Sequence, residues 1–196
     1  MAIENVIFDL GKVLINFDFT AFYQKLGYNA RERSLDEASE AIFDFEAGKT
    51  SKQEFLDELK IIYDFDLPLD EFKILWCEIF SEMTDMIQLA RKISEKYPVY
   101  IFSNTDEIHF PYIWENYPSL HFFRDNLMLS YQLGAVKPHP EAYIKALQKY
   151  DLKPEKCLFI DDHPLNIKAA LNLNMKGIIH DNYEDTFLKL TSLLNF

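Results

Sequence analysis

The sequence predicts an α/β fold in which a doubly wound, parallel sheet of the Rossmann-like type carries an inserted helical-bundle cap. Three observations support this: short apolar strands, helical crossovers between them, and one long segment that breaks their rhythm. The predicted strands are apolar runs rich in β-branched or aromatic residues, at 5–9, 99–103, 127–130, 157–161 and 177–179. Runs without polar alternation are typical of parallel strands that are buried on both faces.

Helical patterns separate the later strands, as the crossovers of a parallel sheet require. They occur at about 86–96, 140–150, 164–173 and from about 185 onward. In the first of them, Ile87, Ala90 and Ile93 share one face. The second begins at Pro140, a residue favoured at the first position of a helix. The alternation of β and α elements therefore indicates a doubly wound sheet.

The segment 17–83 breaks this alternation, because it shows helical patterns and no evident strand. One helical stripe is formed by Leu35, Ala38, Ile42 and Phe45. Ser51 and Glu54 have the spacing of a capping box at the start of another helix. We predict about four helices here. The expected organisation is a Rossmann-like catalytic core formed by 1–16 and 84–196, with a helical cap formed by 17–83.

Charge limits the classes of partner. Acidic residues outnumber basic ones 32 to 20, which gives a net charge of −12. A surface of this sign repels phosphate backbones and anionic lipid, so we expect no nucleic acid partner and no membrane partner. An anionic substrate would need a local positive charge, and a bound divalent cation is a simple way to provide it.

Membrane spans, secretion signals and disulfides are not expected either. No apolar run approaches the roughly 20 residues that span a bilayer. The N-terminus lacks the pattern of a secretory signal. Cys77 and Cys157 form no CxxC pattern. We interpret them as reduced core thiols and expect a cytoplasmic protein.

Polar residues that suit phosphate chemistry stand at the predicted strand ends, where ligands of open α/β sheets bind. The first strand ends at Asp9 and the second at Ser103. Lys137 follows the third strand, and the fourth ends at Asp161-Asp162. A single Asp at a strand end could be an ordinary turn residue. Together, however, these residues offer carboxylates for Mg²⁺, a nucleophile, and a hydroxyl and an ammonium group for phosphate oxygens.

These residues lie in motifs that resemble those of the haloacid dehalogenase-like (HAD) superfamily of hydrolases. The segments, in order, are VIFDLGKVL, SNTD, VKPHPEAY and LFIDDHPLNIKAA. Their order and spacing are similar to the family's over nearly the whole chain, and the helical insertion lies where the family has its helical cap. Within the superfamily, the chain resembles the branch of bacterial α-D-glucose-1-phosphate phosphatases.

The resemblance implies a Mg²⁺-dependent phosphatase that acts through an aspartyl-phosphate. Asp9 would be the nucleophile and a metal ligand. The main-chain carbonyl of Gly11 would bind Mg²⁺, with Asp162 as the main acidic ligand and Asp161 bound directly or through water. The phosphoryl group would be held by Ser103, Asn104 and Lys137. A dianionic phosphate approaches a carboxylate only when positive charges such as Mg²⁺ and the lysine cancel the repulsion.

Gly11 departs from the family pattern, because many phosphatases of the superfamily carry a second Asp there as general acid and base. A proton for the leaving oxygen could come from Asp18, near the junction with the cap, or from His109. The alternative for Asp18 is an N-cap role, and for His109 an exposed position on a helix. Asn166 could hold a metal-bound water or an Asp162 oxygen, or make a simple loop contact. Helix packing is the expected role of the cap aromatics Phe43, Phe45, Phe72 and Trp76.

Three other classes remain open at this point. A haloacid dehalogenase also lacks the second Asp, but it needs no Mg²⁺ ligands such as Asp161-Asp162. A receiver-like phospho-acceptor has its acidic pair on the first strand, the reverse of the order seen here. A non-catalytic phosphate-binding member of the fold would keep the site without turnover. The expected partner is a small-molecule phosphate ester, such as a sugar phosphate, and the expected assembly is a monomer or homodimer.

Overall fold

The computed structural model of the protein describes residues 2–28 and 35–196. Within these residues the strands are β1 (Asn5–Phe8), β2 (Ile15–Phe17), β3 (Phe80–Glu82), β4 (Val99–Ser103), β5 (Leu127–Leu129), β6 (Cys157–Asp161) and β7 (Lys176–Ile179). One parallel sheet has the strand order β5-β4-β1-β6-β7. The chain first winds outward from β1 to β5 and then continues on the other side of β1. This change of direction is the topological switch point at which doubly wound folds bind ligands.

The described residues also form α-helices, some of which cover this sheet while others form the insertion. They are α1 (Thr20–Lys25), α2 (Ser39–Glu46), α3 (Lys52–Tyr63), α4 (Leu69–Cys77), α5 (Thr84–Ser94), α6 (His109–Asn116), α7 (Ser130–Leu133), α8 (Pro140–Lys149), α9 (Pro164–Asn172) and α10 (Tyr183–Leu193). Short 3₁₀ helices occur at Leu35–Ala38, Pro118–Phe123 and Pro154–Lys156.

The parallel sheet is covered on both faces. Val6 and Phe8 of β1 pack in one apolar cluster, and Ile7 between them packs in another. Helices α5 and α10 contribute to the first cluster, and α8 and α9 contribute to the second. Because successive side chains of a strand point to opposite faces, this arrangement requires apolar residues at every position. The predicted doubly wound sheet is therefore confirmed.

Helices α1 to α4 lie between β2 and β3 in the chain, and we call them the inserted helices. Their buried side chains form a third apolar cluster, which is rich in aromatic rings. Phe45 and Phe55, for example, stack with their ring centroids 4.3 Å apart. The predicted capping box is present at the start of α3, where Ser51 and Glu54 each accept a backbone hydrogen bond from the other. The inserted helices thus have an apolar core of their own.

Strands β2 and β3 form a two-stranded antiparallel ribbon at the base of the inserted helices. The prediction that 17–83 contains no strand is therefore wrong. With three residues, of which only the first is partly buried, β3 is too short to show an apolar run. The hydrogen bonds of the ribbon continue at both ends. The Asp18 N–H donates to the Ile79 carbonyl at 3.0 Å, and the Met83 N–H donates to the Leu14 carbonyl at 2.9 Å.

Two further expectations concern membranes and cysteines. No helix in the described part of the chain has the length and apolarity needed to cross a bilayer. Cys77 and Cys157 are buried and form no disulfide, as expected for core thiols. Burial raises the pKa of Cys77 to about 12 and that of Cys157 to about 11, so both thiols stay protonated at neutral pH.

Candidate active site

The carboxyl ends of three neighbouring strands bring the predicted site residues together. Asp9 directly follows β1, and its backbone N–H donates to the Ile160 carbonyl of β6 at 2.8 Å. Ser103 is the last residue of β4, and Asp161 is the last residue of β6. Because β4, β1 and β6 are adjacent and parallel, these side chains meet at one edge of the sheet.

Lys137 lies at the centre of this group. Its Nζ is 2.9 Å from Asp9 Oδ1 and 2.7 Å from Asp161 Oδ2, and it donates to the Phe102 carbonyl at 3.0 Å. Lys137 is 4% exposed, and burial alone would lower the pKa of its ammonium group. The two carboxylates more than offset burial and raise the pKa of Lys137 above its ordinary value. The lysine therefore stays charged.

Asp161 is held from several sides. Its Oδ1 accepts the His163 N–H at 2.8 Å, and Asn166 Nδ2 lies 3.0 Å from both carboxylate oxygens. Burial would raise the pKa of Asp161, but Lys137 and these donors lower it below its ordinary value. One expectation for Asn166, a bond to Asp162, is therefore not met. The amide holds Asp161 instead, because it lies in the first turn of α9, beside the end of β6.

Asp162 completes a cluster of three carboxylates with Asp9 and Asp161. One oxygen from each lies within 4.8 Å of the others. The Asp162 side chain is half-buried and forms no hydrogen bond or ion pair with another described residue. Burial and the neighbouring Asp161 raise the pKa of Asp162. Burial also raises the pKa of Asp9, while Lys137 opposes this rise and Asp161 adds to it.

The charges of this cluster fit a divalent cation. Three carboxylates and the single ammonium group of Lys137 leave two net negative charges when all are ionised. A dication would neutralise this charge and favour the ionised form of every carboxylate. Carboxylate oxygens are the hard ligands that Mg²⁺ prefers. The donor set therefore suits Mg²⁺.

Two polar side chains fix the loops around Lys137 and Ser103. Asn104 Oδ1 accepts the Lys137 N–H at 2.8 Å, and its Nδ2 donates to the Lys137 carbonyl at 3.0 Å. Ser130 Oγ accepts the Thr105 N–H and donates to the Thr105 carbonyl, both at 2.9 Å. Ser103 Oγ donates to the Asn104 carbonyl at 3.1 Å. The side chains of Asn104 and Ser130 each link segments that are distant in the chain. No local sequence pattern indicated these positioning roles.

A cavity of about 170 Å³ lies between this edge of the sheet and the inserted helices. Gly11, Ser103 and Asn104 line its sheet side. Most of its other walls are aromatic or aliphatic, including Phe17, Phe19, Ile42, Phe45, Trp76 and Phe80. Two carboxyl groups, those of Glu46 and Asp106, also line it. The cavity is therefore an apolar space that opens onto the predicted phosphate site.

His109 lines this cavity, so the expectation of an exposed histidine on a helix is wrong. Its side chain is 13% exposed, and its ring stacks on Trp76 with centroids 5.0 Å apart. Nδ1 lies 2.9 Å from Asp106 Oδ2, and Nε2 lies 3.0 Å from the Trp76 carbonyl oxygen. Both partners only accept, so both nitrogens donate and the ring is an imidazolium. Burial alone would lower the pKa of His109, but Asp106 raises it above its ordinary value.

Asp18 is exposed and does not line the cavity. Its Oδ1 accepts the Thr20 N–H at 2.8 Å, and the hydrogen bonds from Thr20 lower the pKa of the carboxyl group. Asp18 is therefore ionised at neutral pH and has no proton to donate. The N-cap of α1 is Phe19, so Asp18 is not the N-cap residue of the alternative interpretation; its bond to Thr20 reaches the first residue of α1 from one position further out.

The aromatic residues expected to pack the inserted helices differ in their surroundings. Phe72 is fully buried and stacks on Trp76 with centroids 5.5 Å apart. Phe45 and Trp76 belong to the same apolar cluster and also line the cavity. Phe43 is 37% exposed and lies under the Lys49 ammonium, which is 4.9 Å from the ring centroid. Packing is thus the main role of three of these residues, as expected.

Comparisons with known proteins agree with this architecture. D-ribitol-5-phosphate phosphatase from Bacteroides thetaiotaomicron is 32% identical over 98% of this chain and 99% of its own length. The crystal structure of the HAD family enzyme BT-2542 from the same organism has a TM-score of 0.83, with 26% identity over 95% of this chain and 99% of that chain. A complex of wild-type BT-2542 with magnesium and inorganic phosphate has a TM-score of 0.78, with 25% identity over 95% of this chain and 100% of that chain.

The family match covers most of the chain. Residues 3–174 match the sequence model of the family described as "haloacid dehalogenase-like hydrolase". This range includes the inserted helices and all the predicted site residues. It also includes every strand of the parallel sheet except β7. The resemblance inferred from the motifs is confirmed, and the chain belongs to the haloacid dehalogenase-like hydrolase family.

Proposed function

We propose that this hydrolase is a Mg²⁺-dependent phosphatase that cleaves a small phosphate monoester through an aspartyl-phosphate on Asp9. The observation that carries the proposal is the contact of Lys137 with both Asp9 and Asp161, beside the Asp162 carboxylate, which pairs with no other residue of the described ranges. Names of similar proteins support it, since one is a phosphatase and another binds magnesium and inorganic phosphate.

Mg²⁺ would be held by Asp9, Asp162 and the main-chain carbonyl of Gly11, with Asp161 bound directly or through water. Bound there, the ion would supply positive charge against the phosphate dianion. Asp162 suits the role of main acidic ligand because its oxygens have no other described partner. Asp161 suits a supporting role, since Lys137 and two other donors already occupy its oxygens.

The protein itself would orient the nucleophile and hold the phosphoryl group. Asp9 Oδ1 is fixed by the Leu10 N–H at 2.7 Å and by Lys137. Lys137 and the Ser103 hydroxyl would bind phosphoryl oxygens. Asn104 would contribute its backbone N–H, while its side chain keeps the Lys137 main chain in place. Attack by Asp9 would then split the hydrolysis into two easier transfers.

The inserted helices would act as the cap of the site, with 17–83 closing over the core formed by 1–16 and 84–196. A cavity of about 170 Å³ is below the roughly 300–1,000 Å³ of pockets for drug-sized ligands. We therefore favour a small phosphate ester, and a sugar phosphate within that class. The D-ribitol-5-phosphate phosphatase among the similar proteins supports this class.

A panel of phosphate esters with and without Mg²⁺ tests the proposal. EDTA should abolish turnover and Mg²⁺ should restore it. Asp9→Asn should lower kcat by at least about 10³-fold, because a nucleophile is lost. Asp125→Asn, at a site with an 84% exposed side chain, should behave like the wild type. Turnover that survives in Asp9→Asn protein would refute the proposed nucleophile.

The same panel separates the alternatives. Metal-independent release of halide from 2-haloacids, without phosphatase activity, would instead indicate a dehalogenase. Binding of phosphate and Mg²⁺ with no turnover of any ester would indicate a non-catalytic member of the fold.

A further inference from the structure

One carboxyl group of the cavity has no role in the function proposed so far. Glu46 is the last residue of α2 and lines the cavity together with Gly11, Ser103 and Asn104. It is half-buried and forms no hydrogen bond or ion pair with any residue in the described segments. As far as the described segments extend, its oxygens are therefore available to a molecule in the cavity.

The other carboxyl group of the cavity is already engaged. Asp106 pairs with the charged ring of His109 and accepts the backbone N–H groups of Ile108 and His109, each at 2.7 Å. Burial would raise the pKa of Asp106, but His109 and these bonds lower it below its ordinary value. Asp106 is thus a fixed anion, and both ring nitrogens of His109 are engaged with Asp106 and the Trp76 carbonyl. Glu46 is therefore the carboxyl group of the cavity that can exchange a proton.

Among the described residues, three contribute charges around Glu46. Asp106 and His109 face it from the start of α6, and Lys137 faces it from the loop before α8. Burial raises the pKa of Glu46 and Asp106 adds to the rise, while His109 and Lys137 oppose it, and the result is about 7. A general acid is most effective when its pKa lies near the working pH.

We propose that Glu46 is the catalytic acid and base that replaces the side chain missing at Gly11. The proposal rests on the phosphatase function proposed above. In the first step an Asp9 oxygen bonds to phosphorus, and the bond to the leaving oxygen breaks. The electron pair of that bond takes the Glu46 proton, so the product leaves as an alcohol.

The second step returns both residues to their starting states. Water attacks phosphorus and gives its proton to the Glu46 carboxylate. The bond between phosphorus and Asp9 breaks, its electron pair returns to the Asp9 oxygen, and inorganic phosphate is released. Glu46 is then protonated for the next cycle.

Two aryl esters of similar shape test the proposal in single-turnover phosphorylation of Asp9. The p-nitrophenolate anion leaves without a proton, so Glu46→Gln should change the rate of phosphorylation by p-nitrophenyl phosphate little. Phenolate is a poorer leaving group, so Glu46→Gln should lower the rate of phosphorylation by phenyl phosphate about 10²-fold relative to the wild type. This factor is the lower end of typical general acid catalysis. The wild-type rate on phenyl phosphate should fall above a pH of about 7, and this fall should be absent in the variant. Glu40→Gln, an exposed site on the same helix, is the matched control and should match the wild type.

Gly11→Asp in the Glu46→Gln protein provides a rescue. A Cβ at residue 11 would lie 3.0 Å from Phe17 Cε1, the edge of a ring that can shift slightly. Recovery of phenyl phosphate cleavage by this double variant would support the proposal.

The contrary outcomes separate this inference from the phosphatase function. Three outcomes would overturn the role of Glu46. Glu46→Gln could lose equal rate on both esters, or it could keep the wild-type rate on phenyl phosphate. The third outcome is a wild type that cleaves only the nitrophenyl ester. In each case, Mg²⁺-dependent cleavage that Asp9→Asn abolishes would keep the phosphatase function standing. A wild type that cleaves no phosphate ester would remove both.

Discussion

Gly48→Ala should weaken the contact between the inserted helices, which we propose act as a cap, and the core. Gly48 follows α2, and its φ of +67° is one that residues with a side chain rarely adopt. A Cβ there would lie 2.4 Å from the Tyr131 carbonyl oxygen of α7. An ordinary contact between such atoms needs about 3.5 Å. The cap would therefore have to retreat from α7 by about 1 Å at this point.

The magnitude of the effect follows from separating two costs. The left-handed backbone costs an alanine about 1–2 kcal/mol in any state of the cap. The steric contact adds about 1–3 kcal/mol, the usual cost of overpacking, but only when the cap is closed. Since about 1.4 kcal/mol corresponds to a tenfold change, the second cost should lower kcat/KM by about 5- to 150-fold.

Gly27→Ala is the matched control, because Gly27 has a φ of +85° and a Cβ there would meet no atom of the described residues within 4 Å. Both variants should lower Tm by similar amounts. Only Gly48→Ala should lower kcat/KM on p-nitrophenyl phosphate. Equal kcat/KM in the two variants would refute the reasoning. A larger loss of Tm in Gly48→Ala with unchanged kcat/KM would mean that the contact with Tyr131 is permanent and the cap does not open.

Two further predictions concern the metal ligands and pH. Asp162→Ala should raise the Mg²⁺ concentration needed for half-maximal activity more than Asp161→Ala does, because Asp162 has no other described partner; equal rises in a Mg²⁺ titration would mean that both carboxylates bind the ion directly. The second compares the wild type with His109→Gln in urea unfolding from pH 6 to pH 9. Burial alone would lower the pKa of His109, but its pair with Asp106 raises this pKa above 6.5. The pair therefore stabilises the fold fully at a pH below 6.5, and this stabilisation is lost as the pH rises through the folded-state pKa. The stability advantage of the wild type should therefore shrink with rising pH, and a constant advantage would show that folding does not raise the pKa of His109.

Much of the site could be predicted from the sequence because a parallel sheet converts sequence order into proximity. Asp9, Ser103 and Asp161 are far apart in the chain, yet each ends a predicted strand, and the carboxyl ends of parallel strands share one edge. Lys137 follows β5 by only a short helix, so it returns to the same edge. No contact between side chains had to be known for this inference.

Contacts between the inserted helices and the core could not be predicted in this way. His109 looks like a surface residue because nothing in its own helix shows that Trp76 will stack on it. Glu46 at the end of a helix has the same local pattern as a solvated glutamate, and its burial depends on the seating of the cap. Asn166 was ambiguous for a related reason, since only the structure shows that its amide contacts Asp161, the last residue of β6, and not Asp162, which follows the strand.

The division of the proposed catalytic groups between the core and the inserted helices, our proposed cap, leads to one more prediction. The core holds Asp9 and Lys137, whereas the cap holds Glu46, two residues before the contact of Gly48 with α7. Displacing the cap at Gly48 should therefore remove the acid from the leaving oxygen as well as loosening the site. In the wild-type background, Gly48→Ala should then cost more on phenyl phosphate than on p-nitrophenyl phosphate. In the Glu46→Gln background this excess should vanish, because the effects of two substitutions that act on the same step are not additive. An excess that persists without Glu46 would show that cap closure favours poor leaving groups by some route other than proton donation.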